Sequence, residues 1–167
     1  MDDQDFSCYV AARWGALVRS AVVLGCSTEE AHDLAQTTLL RCYTKWEKVL
    51  RAEDRDAYVY RVLLNCHRDS RRRRWWGEQP SDRALDMSTG EPTSAVDSAD
   101  AVHRALSDLP PSQREVVVLR YIADLSEART AEVLDVAPGT VKSRLSRALS
   151  QLEGNSHIAE LAEGQAR

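Results

Sequence analysis

Between Gly77 and Asp97 the chain carries two prolines, two glycines, several serines and threonines, and few apolar side chains. Such a stretch cannot bury enough hydrocarbon to offset the entropy of being fixed, so it reads as a linker and not as part of a core. It divides the 167 residues into two units, each long enough for a small helical domain. The units expected are residues 1–76 and 98–153, joined by a linker over 77–97 and followed by a tail over 154–167.

Periodicity assigns helices to both units. Phe6, Tyr9, Val10, Trp14, Leu17, Val18, Ala21 and Leu24 recur at three- and four-residue spacings and stop near Gly25. Ser27 with Glu30 forms a capping-box pattern ahead of a second stripe, Ala31, Leu34, Ala35, Thr38, Leu39, Cys42 and Trp46. The charged stretch from Lys48 to Asp56 predicts a loop, and a third helix follows from about Arg55 to Trp76. Beyond the linker, signals resume at Val102 and break at Pro110-Pro111. Ser112 with Glu115 repeats the capping-box pattern and opens a helix through Val116, Val117 and Leu119. No strand-like alternation occurs, so the fold class expected is all-α, two small helical domains joined by a flexible acidic linker.

Composition excludes several functions. No apolar run approaches the roughly 20 residues that span a bilayer, so no membrane insertion is expected. Met1 to Phe6 lacks a secretory-signal pattern, which points to a cytoplasmic protein. Cys8, Cys26, Cys42 and Cys66 make no CxxC pair and the four histidines complete no ligand spacing, so the cysteines read as buried free thiols and no metal or other cofactor is expected. No carboxylate cluster, nucleophile motif or glycine-rich phosphate loop suggests an enzyme.

The net charge of -4 looks wrong for a nucleic-acid binder until it is divided. Residues 1–76 carry +2, 77–100 carry -5, 101–153 are neutral and 154–167 carry -1. The acidity is gathered in the linker, whereas cations cluster at Arg68 to Arg74 and Lys142 to Arg147.

The second cluster lies in a helix-turn-helix pattern. Ser126 caps a helix bearing Ala128, Ala131, Val133 and Leu134; a break at Asp135 to Ala137 follows, and Pro138 suits the next first turn. In the last helix Val141, Leu145, Ala148, Leu149 and Leu152 form one stripe, leaving Thr140, Lys142, Ser143, Ser146 and Arg147 on other faces. A helix of this kind fits the major groove, its first turns reaching base edges. No acid falls between Gly139 and Leu152 to repel a phosphate. A helical hairpin with a solvated basic face has the same pattern.

The wording of the segment narrows this. LPPSQREVVVLRYIADLSEARTAEVLDVAPGTVKSRLSRAL, Leu109 to Leu149, resembles region 4 of the extracytoplasmic-function (ECF) sigma factors of bacterial RNA polymerase. The resemblance implies a recognition helix that reads the promoter's -35 element through Lys142, Ser143, Ser146 and Arg147, with Thr140 and Arg144 as phosphate or supporting contacts. Two positions depart from the family pattern. Asp135 stands where glycine is favoured, and Arg129 where an acid is common. Asp tolerates the left-handed conformation better than most residues, so the turn can survive.

Residues 27–49 resemble the region 2 helix that holds the clamp helices of the polymerase's β′ subunit. The resemblance implies core-polymerase contacts at Asp33, Gln36, Thr37, Leu40 and Arg41, with His32 replacing the usual acid. Residues 56–76 resemble the helix behind the loop that captures a flipped base of the -10 element, implying Asn65 as the base reader and Tyr58, Arg68 and Arg71 as -10 contacts. Arg71 to Arg74 suit phosphates, and Trp75 and Trp76 either stack on DNA or close the domain, packing being the favoured reading.

Arginine supplies 19 of the 22 basic residues. With the DLSE and GTVKS wording, this resembles the SigE-type branch. The partners implied are core RNA polymerase, through the β′ clamp helices and the β flap, promoter DNA, and an anti-sigma factor. The linker acids Asp82, Asp86 and Glu91 are expected to mimic nucleic acid inside the polymerase or to remain disordered. The rival reading is a free-standing helix-turn-helix regulator, which would need a dimerisation helix or a ligand pocket.

Overall fold

The computed structural model describes residues 3–77 and 94–155. Within them the chain is helical: α1 Asp3–Val23, α2 Thr28–Tyr43, α3 Trp46–Arg51, α4 Arg55–Gly77, α5 Ser94–Ser107, α6 Pro111–Val117, α7 Glu127–Leu134 and α8 Pro138–Glu153. A π-helical turn, Val118–Ile122, continues α6. The linker acids Asp82, Asp86 and Glu91 and the tail beyond Asn155 lie outside the described residues.

The capping box forms at α2. Ser27 Oγ accepts from the Glu30 amide at 3.3 Å, and the Ser27 amide donates to Glu30 Oε2 at 2.9 Å. Burial raises the Glu30 carboxyl's affinity for its proton, but the Ser27 amide and the Arg74 guanidinium outweigh it and hold the group below the usual range. The second capping box does not form. Pro110 is the N-cap of α6, which begins at Pro111, and no side chain caps it. Pro110 has no side-chain acceptor to offer the first amides of the helix, and the Glu115 carboxylate turns to another partner.

Two expectations for the first unit are corrected. The predicted loop from Lys48 to Asp56 is helical through Arg51, and Trp46 opens α3 instead of closing α2. Trp46 supplies the reason: only 1% exposed, it sits under Phe6 and Tyr9 with ring centroids 5.1 and 5.4 Å away, and that contact outweighs the charged surface around it. In the second unit α5 begins at Ser94, inside the expected linker and eight residues ahead of Val102.

The two units share one core. Leu17, Ala21, Leu34, Val59, Leu63 and Leu64 from the first form a continuous buried cluster with Val116, Val118, Leu119, Leu125 and Val133 from the second. The stripe of α8 is split. Val141 joins that shared core, whereas Ala148 packs with Leu109 and Val117 in a small core of the second unit, flanked by the half-buried Leu145 and Leu152. Of the cysteines, Cys42 and Cys66 are buried, Cys26 is half-buried and Cys8 is exposed, so the expectation of buried thiols fails at Cys8.

Candidate nucleic-acid interface

The helix-turn-helix is built from its caps. Ser126 Oγ accepts from the Arg129 amide at 3.1 Å and starts α7. Asp135 ends it with φ 54° and ψ 51°, the left-handed conformation that glycine adopts most cheaply. Pro138 then starts α8. Arg129, the second departure, pairs with Glu53 at 2.5 Å and Glu132 at 2.7 Å, so it ties the turn region to the first unit and not to open solvent.

On α8, Lys142, Ser143, Ser146 and Arg147 are exposed, and Thr140 and Arg144 are half-buried. Ser143 Oγ donates to the Thr140 carbonyl at 3.1 Å. Lys142, Arg144 and Arg147 have no carboxylate partner among the described residues, so their donors are available to phosphates or base edges.

The second candidate face belongs to α4. Asn65 is exposed, with Arg61 four residues before it and Arg68 three after, all on one side of the helix. Both arginines are engaged by the second unit. Arg61 Nη2 donates to the Glu132 carbonyl at 2.7 Å, and Arg68 grips the Glu115 carboxylate through Nε at 3.1 Å and Nη2 at 2.9 Å. Asn65 thus lies between two clasps. Arg71 is exposed and Tyr58 half-buried against the core.

Trp75 and Trp76 are 88% and 81% exposed at the end of α4, which overturns the packing expectation. The helix runs past the last contact of its own domain, so the two rings project from its free end beside Arg71 to Arg74, where base or backbone contacts are open to them.

A third face lies on α2. Asp33, Gln36, Thr37, Leu40 and Arg41 are all exposed, and Leu40 is a large apolar side chain at 62%. Arg41 lies 3.6 Å from Asp69 of α4. An apolar residue ringed by polar groups on a rigid helix suits a protein partner. His32 Nδ1 is 2.7 Å from the Thr28 carbonyl and its ring leans on Trp14, so this departure turns back onto its own helix.

The interdomain contacts at Arg61, Glu115, Glu53 and Arg114 escaped the sequence reading. Their partners lie 47 to 90 residues away, and no spacing signals such pairs. Among the described residues no cluster of three metal-ligating side chains occurs and no helix is long and apolar enough to cross a membrane.

Two family models match the chain, sigma-70 region 2 over residues 9–77 and sigma-70 region 4 over residues 99–152. The RNA polymerase sigma-E factor of Streptomyces avermitilis is 38% identical over 148 residues, covering 89% of this chain and 83% of that protein. The ECF RNA polymerase sigma factor SigM of Mycobacterium tuberculosis is 33% identical over 137 residues, covering 81% and 69%. Among solved structures, the sigma factor RpoE of Bartonella quintana, bound to the anti-sigma factor NepR, has a TM-score of 0.73 at 25% identity, covering 90% of this chain and 96% of that one.

Proposed function

The chain belongs to the ECF group of the sigma-70 family, SigE-type, and on that premise we propose how its residues divide the work of promoter recognition and transcription initiation. Residues 1–76 bind the core polymerase and the -10 element, residues 98–153 bind the -35 element, and the segment over 77–97 joins them. The observation that carries this division is the pair of separate faces: a recognition helix whose cations have no carboxylate partner among the described residues, and an α4 face centred on Asn65.

The -35 contacts are Lys142, Ser143, Ser146 and Arg147 toward bases, with Thr140 and Arg144 supporting. The -10 contacts are Asn65 toward a flipped base, with Tyr58, Arg68 and Arg71 beside it. Asp33, Gln36, Thr37, Leu40 and Arg41 meet the β′ clamp helices, and the second unit meets the β flap. The protein performs no chemistry itself; nucleotide addition belongs to the polymerase with which it acts in the cytoplasm. An anti-sigma factor is a further partner, as it is for the Bartonella protein.

Both promoter faces cannot be used in the closed arrangement. The element names place the two sites about 25 base pairs apart, on the order of 80 Å along B-DNA. The units here touch through hydrogen bonds and a shared apolar core, and these contacts part when the protein takes up the promoter.

Reconstituted transcription tests the proposal. Purified core polymerase with this chain is expected to start transcripts at one defined position on a cognate promoter. Absence of core binding at micromolar concentration contradicts it.

A further inference from the structure

A cavity of about 360 Å³ lies where α2, α4 and the start of α6 meet, so both units contribute to its wall. Its volume falls in the range of small-molecule sites. Five arginines line it. Arg74 is matched by Glu30 at 2.5 Å and Arg41 by Asp69 at 3.6 Å, but Arg71, Arg73 and Arg114 have no carboxylate partner among the described residues. Asp33 on the rim is the remaining acid of the lining.

Arg114 is the unusual member. It reaches across the seam so that Nη1 donates to the Leu24 carbonyl at 3.3 Å, while its Nε is buried with no acceptor among the described residues. The approach depends on Gly25, whose φ is +105° and whose missing Cβ would lie 2.8 Å from Arg114 Nη1. Burial and the neighbouring Arg71 charge weaken the hold of Arg114 on its proton, and burial followed by Arg71 does the same to His67. The wall is therefore a concentration of cationic N–H donors with too few acceptors, in a space a duplex cannot enter while the seam is closed.

We propose that this cavity binds a small phosphate-type oxyanion, held by Arg71, Arg114 and His67, and that the bound anion ties the two units together. Two of its holders sit on α4 and the third on α6, so opening the seam takes the site apart. By linkage, the anion favours the closed arrangement over the open one. The three holders present N–H donors, which suits an oxyanion. The space accommodates phosphate or pyrophosphate.

Cys26 is a built-in reporter, because it is half-buried and lines the cavity, whereas exposed Cys8 does not. Burial, with Glu30 nearby, pushes the Cys26 thiol up to about 11, and a bound anion raises it further. The experiment alkylates the full chain at constant pH and ionic strength with chloride, inorganic phosphate or pyrophosphate, and follows both thiols by mass spectrometry. Phosphate and pyrophosphate are expected to slow Cys26 at least fivefold and leave Cys8 unchanged. Arg114→Gln is expected to raise the half-protecting concentration at least tenfold, Arg114→Lys to raise it less, and the remote Arg51→Gln to leave it alone. Circular dichroism checks that each variant is folded, and a variant that is not is replaced by His67→Gln.

Equal protection by chloride, or undiminished protection in folded Arg114→Gln, overturns the proposal. Protection by a single-stranded -10 oligonucleotide or an acidic peptide but not by free phosphate overturns it too, since the cavity then serves a macromolecule. No polymerase is present, so the result is independent of the promoter assay.

Discussion

Arg68 of α4 holds Glu115 of α6 in a two-point grip, Nε at 3.1 Å and Nη2 at 2.9 Å, across 47 residues of sequence. The carboxylate is 12% exposed and the guanidinium 48%, so only one end of the pair is sheltered from solvent. The grip joins the two units, and it occupies an arginine that we propose as a -10 contact. Glu115→Gln is expected to weaken closure by roughly 1 kcal/mol, the half-exposed arginine limiting the effect. Small-angle scattering of the free protein should show a larger radius of gyration for this variant. An unchanged radius means that the shared apolar core alone holds the units together.

Trp75 and Trp76 test whether the exposed end of α4 serves DNA. Because both rings stand in solvent, replacing them together by alanine should shift unfolding by no more than about 0.5 kcal/mol. Binding to a single-stranded -10 oligonucleotide should fall by about 1–3 kcal/mol for each base that loses its stacking partner. Fluorescence anisotropy measures the second effect. Undiminished binding removes the tryptophans from the interface.

These two features also mark where sequence and structure part. Elements whose signals are local were legible: the Ser27–Glu30 box, the Pro110-Pro111 break, the Ser126 cap and the Asp135 turn all depend on neighbours within four residues. The Ser112–Glu115 box failed because Glu115 has a better partner on a distant helix, and α3 was hidden because Trp46 is buried by α1. The Trp75-Trp76 pair misled because an apolar composition says nothing of whether a neighbour exists to pack against. The motif residues of α8 could be read as one face from their spacing. That the Asn65 face is clasped by the second unit could not.

His67 gives the seam a pH dependence. It is 6% exposed, and burial, with Arg71, Arg114 and Arg68 around it, lowers its proton affinity; Glu115 opposes them. A base with a depressed value in the folded state binds more protons when unfolded, so its contribution is complete above about pH 6.5 and is lost as pH falls below that. The denaturant midpoint is expected to fall between pH 7.5 and 5.5, and His67→Gln to flatten the fall. A variant with the parent's pH profile would place the dependence elsewhere.

Asp135 is a departure the turn tolerates at a cost. Its φ of 54° places a side chain where glycine is cheaper. Asp135→Gly is expected to raise stability by up to about 1 kcal/mol in thermal unfolding, with unchanged affinity for a -35 duplex, because the residue shapes the turn and is outside the proposed base contacts. Reduced stability would show that the carboxylate contributes more than the backbone strain removes.

The division of labour between the two faces is tested most directly by run-off transcription with core polymerase on four templates: the cognate promoter, the same with an altered -35 element, with an altered -10 element, and with both. Arg147→Ala is expected to lose about 1–3 kcal/mol of promoter affinity on templates with the cognate -35 element and little where that element is already altered. Asn65→Ala should behave likewise toward the -10 element, with reduced DNA opening. If both variants lose the same fraction of transcript on every template, neither residue reads sequence and the assignment of the two faces is wrong.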